Sequence, residues 1–221
     1  MSLKIKICGL SKPEHITMSL RSGADMLGFI FASPSPRTLN PCFARENNFS
    51  DLARNAERIG VFVDPENNHL LRSIKAINAT MIQLHGYETP KRCSEIKEIS
   101  GLPIIKAFGV GSKNDLEKTN NYLSSVDYFL FDSVPSSNKP NAQKGGLNKV
   151  FEWDLLEDCN LKNFFISGGL NIDNVIDAIT QTKPMGIDVS SGVEKQPGVK
   201  DEKLIKDFIK TAQSFYKENY E

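Results

Sequence analysis

The chain is poor in the residues that build metal centres and disulfide frameworks. Its 221 residues include four cysteines (Cys8, Cys42, Cys93, Cys159) and three histidines (His15, His69, His85), with no C-x-x-C spacing. A zinc site or disulfide scaffold is not expected, and neither is any cofactor. Net charge is missing too, since 27 Lys and Arg stand against 27 Asp and Glu. That removes the electrostatic footprint of a nucleic-acid or anionic-membrane binder. No apolar run approaches the ~20 residues of a membrane span. No signal-peptide pattern opens the chain, so the cytoplasm is the expected compartment. No G-x-G-x-x-G follows the first strand, which counts against a dinucleotide-binding open sheet.

What is present is a regular alternation of strand and helix patterns. Short β-favouring runs recur at Lys4-Ile5-Lys6-Ile7-Cys8, Met26-Leu27-Gly28-Phe29-Ile30-Phe31 and Arg58-Ile59-Gly60-Val61-Phe62-Val63. Further runs are Met81-Ile82-Gln83-Leu84-His85-Gly86, Pro103-Ile104-Ile105-Lys106-Ala107-Phe108 and Tyr128-Phe129-Leu130-Phe131-Asp132. Phe164-Phe165-Ile166-Ser167 and Met185-Gly186-Ile187-Asp188-Val189 complete the set. Runs this apolar belong to strands buried on both faces. Helical patterns separate them. Ser11 and Glu14 have the spacing of a capping box, a helix is expected over 41–54, and Asn171 is placed to cap the helix after the seventh strand. The last helix carries one apolar stripe, Leu204, Ile205, Phe208, Ile209, Ala212, Phe215 and Tyr216.

Eight such units in 221 residues, about 28 residues each, suit a compact (β/α)8 TIM barrel. No linker or composition break divides the chain, so one barrel domain over 1–221 is expected. A doubly wound open sheet is the structural alternative.

A barrel of this kind carries its chemistry on the C-terminal ends of its strands. Those positions hold Cys8, Arg37, His85, Asp132, Gly168, Gly169 and the stretch from Asp188 to Gly192. Gly168-Gly169 after strand seven and Ser190-Ser191-Gly192 after strand eight are the two loops that commonly cradle a phosphate on backbone N–H groups. The same glycines and serines are also ordinary turn chemistry. Cys8 as a base and Asp132 as an acid would suit a proton-shuttling isomerisation without metal or redox cofactor. Each has a plain structural alternative, packing for the thiol and capping for the carboxylate. Gly9, next to Cys8, would let substrate approach the backbone. Arg37 would clamp a carboxylate or phosphate. His85 is a substrate contact, a base or a structural group, and Asp188 would hold a substrate hydroxyl. Lys106 is a weaker candidate, as a Schiff-base former. Cys42, Cys93 and Cys159 read as structural.

The ordered set of these motifs resembles the phosphoribosylanthranilate isomerase family over nearly the whole chain. The matching stretches are Lys6-Ile7-Cys8-Gly9, Gly28-Phe29-Ile30-Phe31, Ser35-Pro36-Arg37, Gly60-Val61-Phe62-Val63 and Gln83-Leu84-His85-Gly86. Phe131-Asp132, Ser167-Gly168-Gly169-Leu170 and Ile187 to Glu194 continue the series. The resemblance implies an Amadori rearrangement of N-(5-phosphoribosyl)anthranilate in tryptophan biosynthesis. It assigns Asp132 as general acid, Cys8 as general base and Arg37 to the anthranilate carboxylate. It gives Gly168, Gly169, Ser190 and Ser191 to the phosphate, and Asp188 to the ribose hydroxyls. The implied partner is thus a small phosphorylated substrate, with the chain a monomer or homodimer. One stretch departs from the family pattern: Gly145-Gly146-Leu147-Asn148 precedes Phe151-Glu152-Trp153, and Leu147 supplies no hydroxyl. Two rival readings are the related sugar isomerase of histidine biosynthesis, which uses an aspartate at the Cys8 position, and a barrel that only binds a phosphorylated ligand.

Overall fold

In a computed structural model, which describes residues 2–133, 153–156 and 161–220, eight parallel strands close into a barrel in sequence order. The strands are β1 (Lys4–Cys8), β2 (Met26–Ile30), β3 (Glu57–Phe62), β4 (Met81–Leu84), β5 (Ile104–Val110), β6 (Tyr128–Ser133), β7 (Phe164–Ile166) and β8 (Gly186–Val189). β1 closes the ring on β8 with Lys6 opposite Asp188, and it pairs with β2 with Cys8 opposite Gly28.

Period-two alternation divides each strand between two packed layers. Cys8, Met26, Ile59, Val61, Ile105, Ala107, Leu130 and Phe165 cluster as the barrel interior. Ile5, Ile7, Leu27, Phe29, Phe62, Phe129, Phe131 and Ile187 form the layer under the helices. Both layers are apolar, which is why the strands read as nearly continuous hydrophobic runs.

The helices are α1 (Pro13–Arg21), α2 (Pro41–Glu46), α3 (Phe49–Leu52), α4 (Asn67–Ile77), α5 (Pro90–Ser100), α6 (Lys113–Glu117), α7 (Val175–Thr182) and α8 (Glu202–Tyr220). The final stripe is as expected: Ile205, Phe208, Ile209 and Ala212 are buried, with Leu204, Phe215 and Tyr216 packed at its edge. Burying each of its large members is worth roughly 1.5–3 kcal/mol.

Three local expectations give way. The Ser11 and Glu14 capping box does not form. Pro13 occupies the first turn, where its missing N–H costs nothing, and Lys12 is the N-cap without a side-chain bond. The helix expected over 41–54 breaks into α2 and α3 because Asn48 takes a left-handed φ of 54°, a conformation asparagine tolerates. Asn171 does not cap α7. Its side chain accepts from the Asp173 N–H in a preceding turn, and Asn174 is the residue at the helix boundary. The stretch Gly145-Gly146-Leu147-Asn148 lies outside the described residues, as does Cys159. A 3-10 turn is described at Trp153–Leu156.

Candidate active site

The first strand places two polar side chains into the barrel. Ile5 and Ile7 face the helices, so Lys6 and Cys8 face inward. Cys8 is buried, and Gly28 on the neighbouring strand makes room for it. A Cβ on Gly28 would stand 2.7 Å from the Cys8 Sγ. Lys6 is fully buried, and its Nζ donates to Asp188 Oδ2 at 2.7 Å. Asp188 therefore sits below the mouth in an ion pair, with its Oδ1 buried and without a protein partner.

Burial pushes the Cys8 thiol above its ordinary value. The ammonium groups of Lys6 and Lys200 pull it the other way, while Asp188 adds to the rise. Lys6 behaves differently from a lone buried amine. Burial alone would lower it, but the carboxylate of Asp188 and the Cys8 sulfur outweigh that and raise it.

Asp132 is the penultimate residue of β6, with its side chain 27% exposed. The three apolar residues before it are buried, but the carboxylate itself reaches the open mouth. His85 Nε2 lies 3.3 Å from Asp132 Oδ2. On the other side of the same ring, Gln83 Nε2 is 2.9 Å from His85 Nδ1. Where the Gln83 amide donates to Nδ1, the imidazole proton sits on Nε2, the nitrogen that stands near Asp132. Gln83 is buried inside the barrel and orients the ring from below.

Arg37 follows β2 in a loop that packs over Gly9. The clearance at Gly9 serves this arginine and not a substrate: a Cβ there would be 2.6 Å from Arg37 Cδ and 3.1 Å from Ser190 Oγ. Gly9 has φ +79°, so the position also suits glycine conformationally. The guanidinium forms a two-pronged pair with Glu194, Nε to Oε1 at 2.8 Å and Nη2 to Oε2 at 2.7 Å. That pair, first through its hydrogen bonds, raises Arg37.

Gly168 and Gly169 follow β7 with φ of +88° and +67°. Ser190 follows β8, and Ser191–Val193 form a 3-10 turn. The two loops touch, because any Cβ on Gly192 would overlap the Leu170 carbonyl oxygen. They thus form one continuous cradle. Within it the Ser190 hydroxyl is committed to the framework: it donates to the Cys8 carbonyl at 3.0 Å. Ser191 is exposed.

Lys106 is engaged elsewhere. Its Nζ donates to the carbonyls of Leu84, Gly86 and Ala107, and it pairs with the fully buried Glu88 carboxylate at 3.2 Å. Glu88 also accepts from the Asp64 and Gly86 N–H groups, so this ion pair ties the loops after β3 and β4 to strand β5. An amine held in this way is a structural tie, not a presented nucleophile. Cys93 is buried and Cys42 is exposed. Among the described residues no cluster of His, Cys, Asp and Glu has the arrangement of a metal site. No helix among them is long and apolar enough to cross a membrane.

The residues singled out on sequence all sit on strands or loops at one end of the barrel. Lys6, Gln83, Glu194 and Lys200 join them and were not foreseen. Lys6 had a legible signal, a charge alternating with isoleucines in a strand that must be buried on both faces.

The fold is a (β/α)8 barrel with its polar constellation on the C-terminal rim, the layout of a TIM-barrel enzyme. The profile of the N-(5'-phosphoribosyl)anthranilate (PRA) isomerase family matches residues 5–211. An N-(5'-phosphoribosyl)anthranilate isomerase of Nitrobacter hamburgensis is 44% identical over 217 residues, covering 97% of this chain and 94% of its own. That of Nitrobacter winogradskyi is 42% identical over 215 residues, with the same coverage. Among solved structures, phosphoribosyl anthranilate isomerase of Thermotoga maritima superposes with a TM-score of 0.84 at 36% identity, covering 96% of this chain and 99% of its own. A phosphoribosyl anthranilate isomerase in complex with reduced 1-(o-carboxyphenylamino)-1-deoxyribulose 5-phosphate has a TM-score of 0.81 at 35% identity, with the same coverage. The chain belongs to the phosphoribosylanthranilate isomerase family, and is thereby an isomerase of tryptophan biosynthesis.

Proposed function

We propose that the chain rearranges N-(5-phosphoribosyl)anthranilate to 1-(2-carboxyphenylamino)-1-deoxyribulose 5-phosphate by general acid and base catalysis, within one barrel domain spanning 1–221. The carboxylic acid of Asp132 gives its proton to the furanose ring oxygen. The C1–O bond breaks, and the nitrogen lone pair forms an iminium at C1. The Cys8 thiolate then removes the C2 proton, whose electrons form the enolamine, and tautomerisation yields the ketone. His85 Nε2 orients the Asp132 carboxyl and Asp188 meets the ribose hydroxyls with its open oxygen. Arg37 takes the anthranilate carboxylate. Gly168, Gly169, Ser190 and Ser191 take the phosphate, with Ser190 contributing through its backbone.

One observation carries this reading. An acid and a thiol stand on non-neighbouring strands of the same rim, β6 and β1, while the paired glycine and serine loops form a cradle beside them. The raised thiol fits the order of steps. Before ring opening, burial favours the protonated thiol of Cys8. The cation created at C1 by ring opening would join Lys6 and Lys200 in favouring the thiolate when it is needed.

The partner is this small phosphorylated molecule and the compartment the cytoplasm, with no role for nucleic acid or membrane. The chain acts as a monomer or homodimer; one structural relative, from Thermotoga maritima, is described as dimeric. The test is turnover of N-(5-phosphoribosyl)anthranilate by purified Cys8→Ser and Asp132→Asn. Each should lose roughly 10²- to 10⁴-fold in kcat with KM little changed. Full activity in either variant would remove that residue from the mechanism.

A further inference from the structure

After the 3-10 turn at Ser191–Val193, the chain makes a small hairpin, β9 (Glu194–Gln196) and β10 (Val199–Lys200), before entering α8. The hairpin leans on the Arg37 loop: a Cβ on Gly198, whose φ is +80°, would stand 2.6 Å from the Pro36 carbonyl oxygen. At its base two charged side chains are buried, Glu194 with 3% exposure and Lys200 with none. Charges taken from water are expensive unless their partners are nearly ideal. Here the partners account for every donor. Glu194 Oε1 accepts from Arg37 Nε and Lys200 Nζ, both at 2.8 Å. Oε2 accepts from Arg37 Nη2 at 2.7 Å and from the Gly198 N–H at 3.2 Å. The remaining Lys200 donors go to the Ser190 carbonyl at 2.8 Å and the Ser190 hydroxyl at 3.3 Å.

From this geometry we infer that Glu194 and Lys200 are positioning residues for substrate. Glu194 fixes the Arg37 guanidinium so that its Nη1 edge alone remains for the aromatic carboxylate, and Lys200 ties that clamp to the phosphate loop at Ser190. Neither side chain reaches substrate itself. The two anion-binding ends are set at one separation, matched to a molecule with a carboxylate at one end and a phosphate at the other. Two cations against one anion also leave the cluster net positive, which suits such a ligand. Burial lowers Lys200 and Glu194 only partly offsets it, because that carboxylate is shared with Arg37. Glu194 stays below its ordinary value, since bonds from Arg37 and Lys200 outweigh the effect of burial.

This inference rests on Arg37 binding the carboxylate, and the test separates the two. Turnover of N-(5-phosphoribosyl)anthranilate is measured on the full chain, with anthranilate and inorganic phosphate as competitive inhibitors that probe the two ends. Arg37→Ala should weaken anthranilate; if it does not, the role given to Arg37 fails. Glu194→Gln should raise KM and the anthranilate inhibition constant roughly 10- to 100-fold, the range for losing charge-assisted bonds. Phosphate inhibition should stay within about 2-fold, and kcat should change far less than KM. Lys200→Met should weaken both inhibitors. Glu194→Asp keeps the charge but withdraws it, so it should shift the anthranilate constant in the same direction while folding more readily. If Arg37→Ala has its effect but the Glu194 variants leave anthranilate unchanged, or weaken both inhibitors equally, the positioning role is overturned. If Lys200→Met changes anthranilate alone, the link between the two ends is overturned.

Discussion

Lys6→Met removes a deeply buried cation of the site and leaves its carboxylate behind. Lys6 and Asp188 have side-chain exposures of 1% and 4%, and Asp188 Oδ1 already has no partner. Without Lys6, Asp188 becomes a buried charge with no counter-ion. Breaking such a pair from one side costs about 3–5 kcal/mol, set against total stabilities of roughly 5–15 kcal/mol. For a chain of this size each kcal/mol moves Tm by about 2–4 °C, so a fall of roughly 6–20 °C is expected by circular dichroism. Lys6→Met with Asp188→Leu, which removes both charges, should recover most of that loss. The pH dependence has a definite sign. The folded state holds the Lys6 proton above its ordinary value of 10.5. The pair's contribution is thus fully present below that value and lost as pH rises through the higher folded one. Lys6→Met should lack this alkaline loss. It should also move the pH–rate profile to the alkaline side, because the thiolate loses its nearest cation. A Tm fall under about 2 °C, with an unchanged profile, would refute the assignment of Lys6 as the counter-charge of this site.

Gly28→Ala tests the space given to the thiol. Its Cβ would stand 2.7 Å from Cys8 Sγ and 3.1 Å from Cys8 Cα, so the base must shift. A loss of kcat on the order of 10²-fold is expected, against a stability change of only about 1–3 kcal/mol by chemical denaturation. Cysteine alkylation mapped peptide by peptide should follow burial. Exposed Cys42 reacts first, while Cys93, pushed up to about 11 by burial, stays unlabelled in the folded protein until strongly alkaline pH. Cys8 should label faster as pH rises beyond its ordinary range, and saturating product should protect it.

The barrel was legible in the sequence because a parallel sheet covered on both faces demands short apolar strands, and these are easy to see between helical patterns. Boundaries were less so. Asn48 could continue or break a helix, and only its left-handed conformation decided for two short helices over one. The capping box at Ser11 lost to a proline two residues later. Site residues at strand ends were legible because the fold itself points to them. Glu194 and Lys200 were not: six residues apart and joined by a hairpin, they acquire meaning only when Glu194 meets both Lys200 and Arg37, the latter more than 150 residues earlier in the chain. Gly9 was misjudged for the same reason, as its clearance belongs to a distant arginine.

The division of labour between Cys8 and Asp132 is tested most directly by single-turnover kinetics with substrate carrying deuterium at C2. In Cys8→Ser, proton removal should become the slow step and the isotope effect should be fully expressed. In Asp132→Asn, ring opening should become slow and the isotope effect should vanish. An isotope effect that vanishes in Cys8→Ser, or grows in Asp132→Asn, would contradict the assignment of the acid and the base.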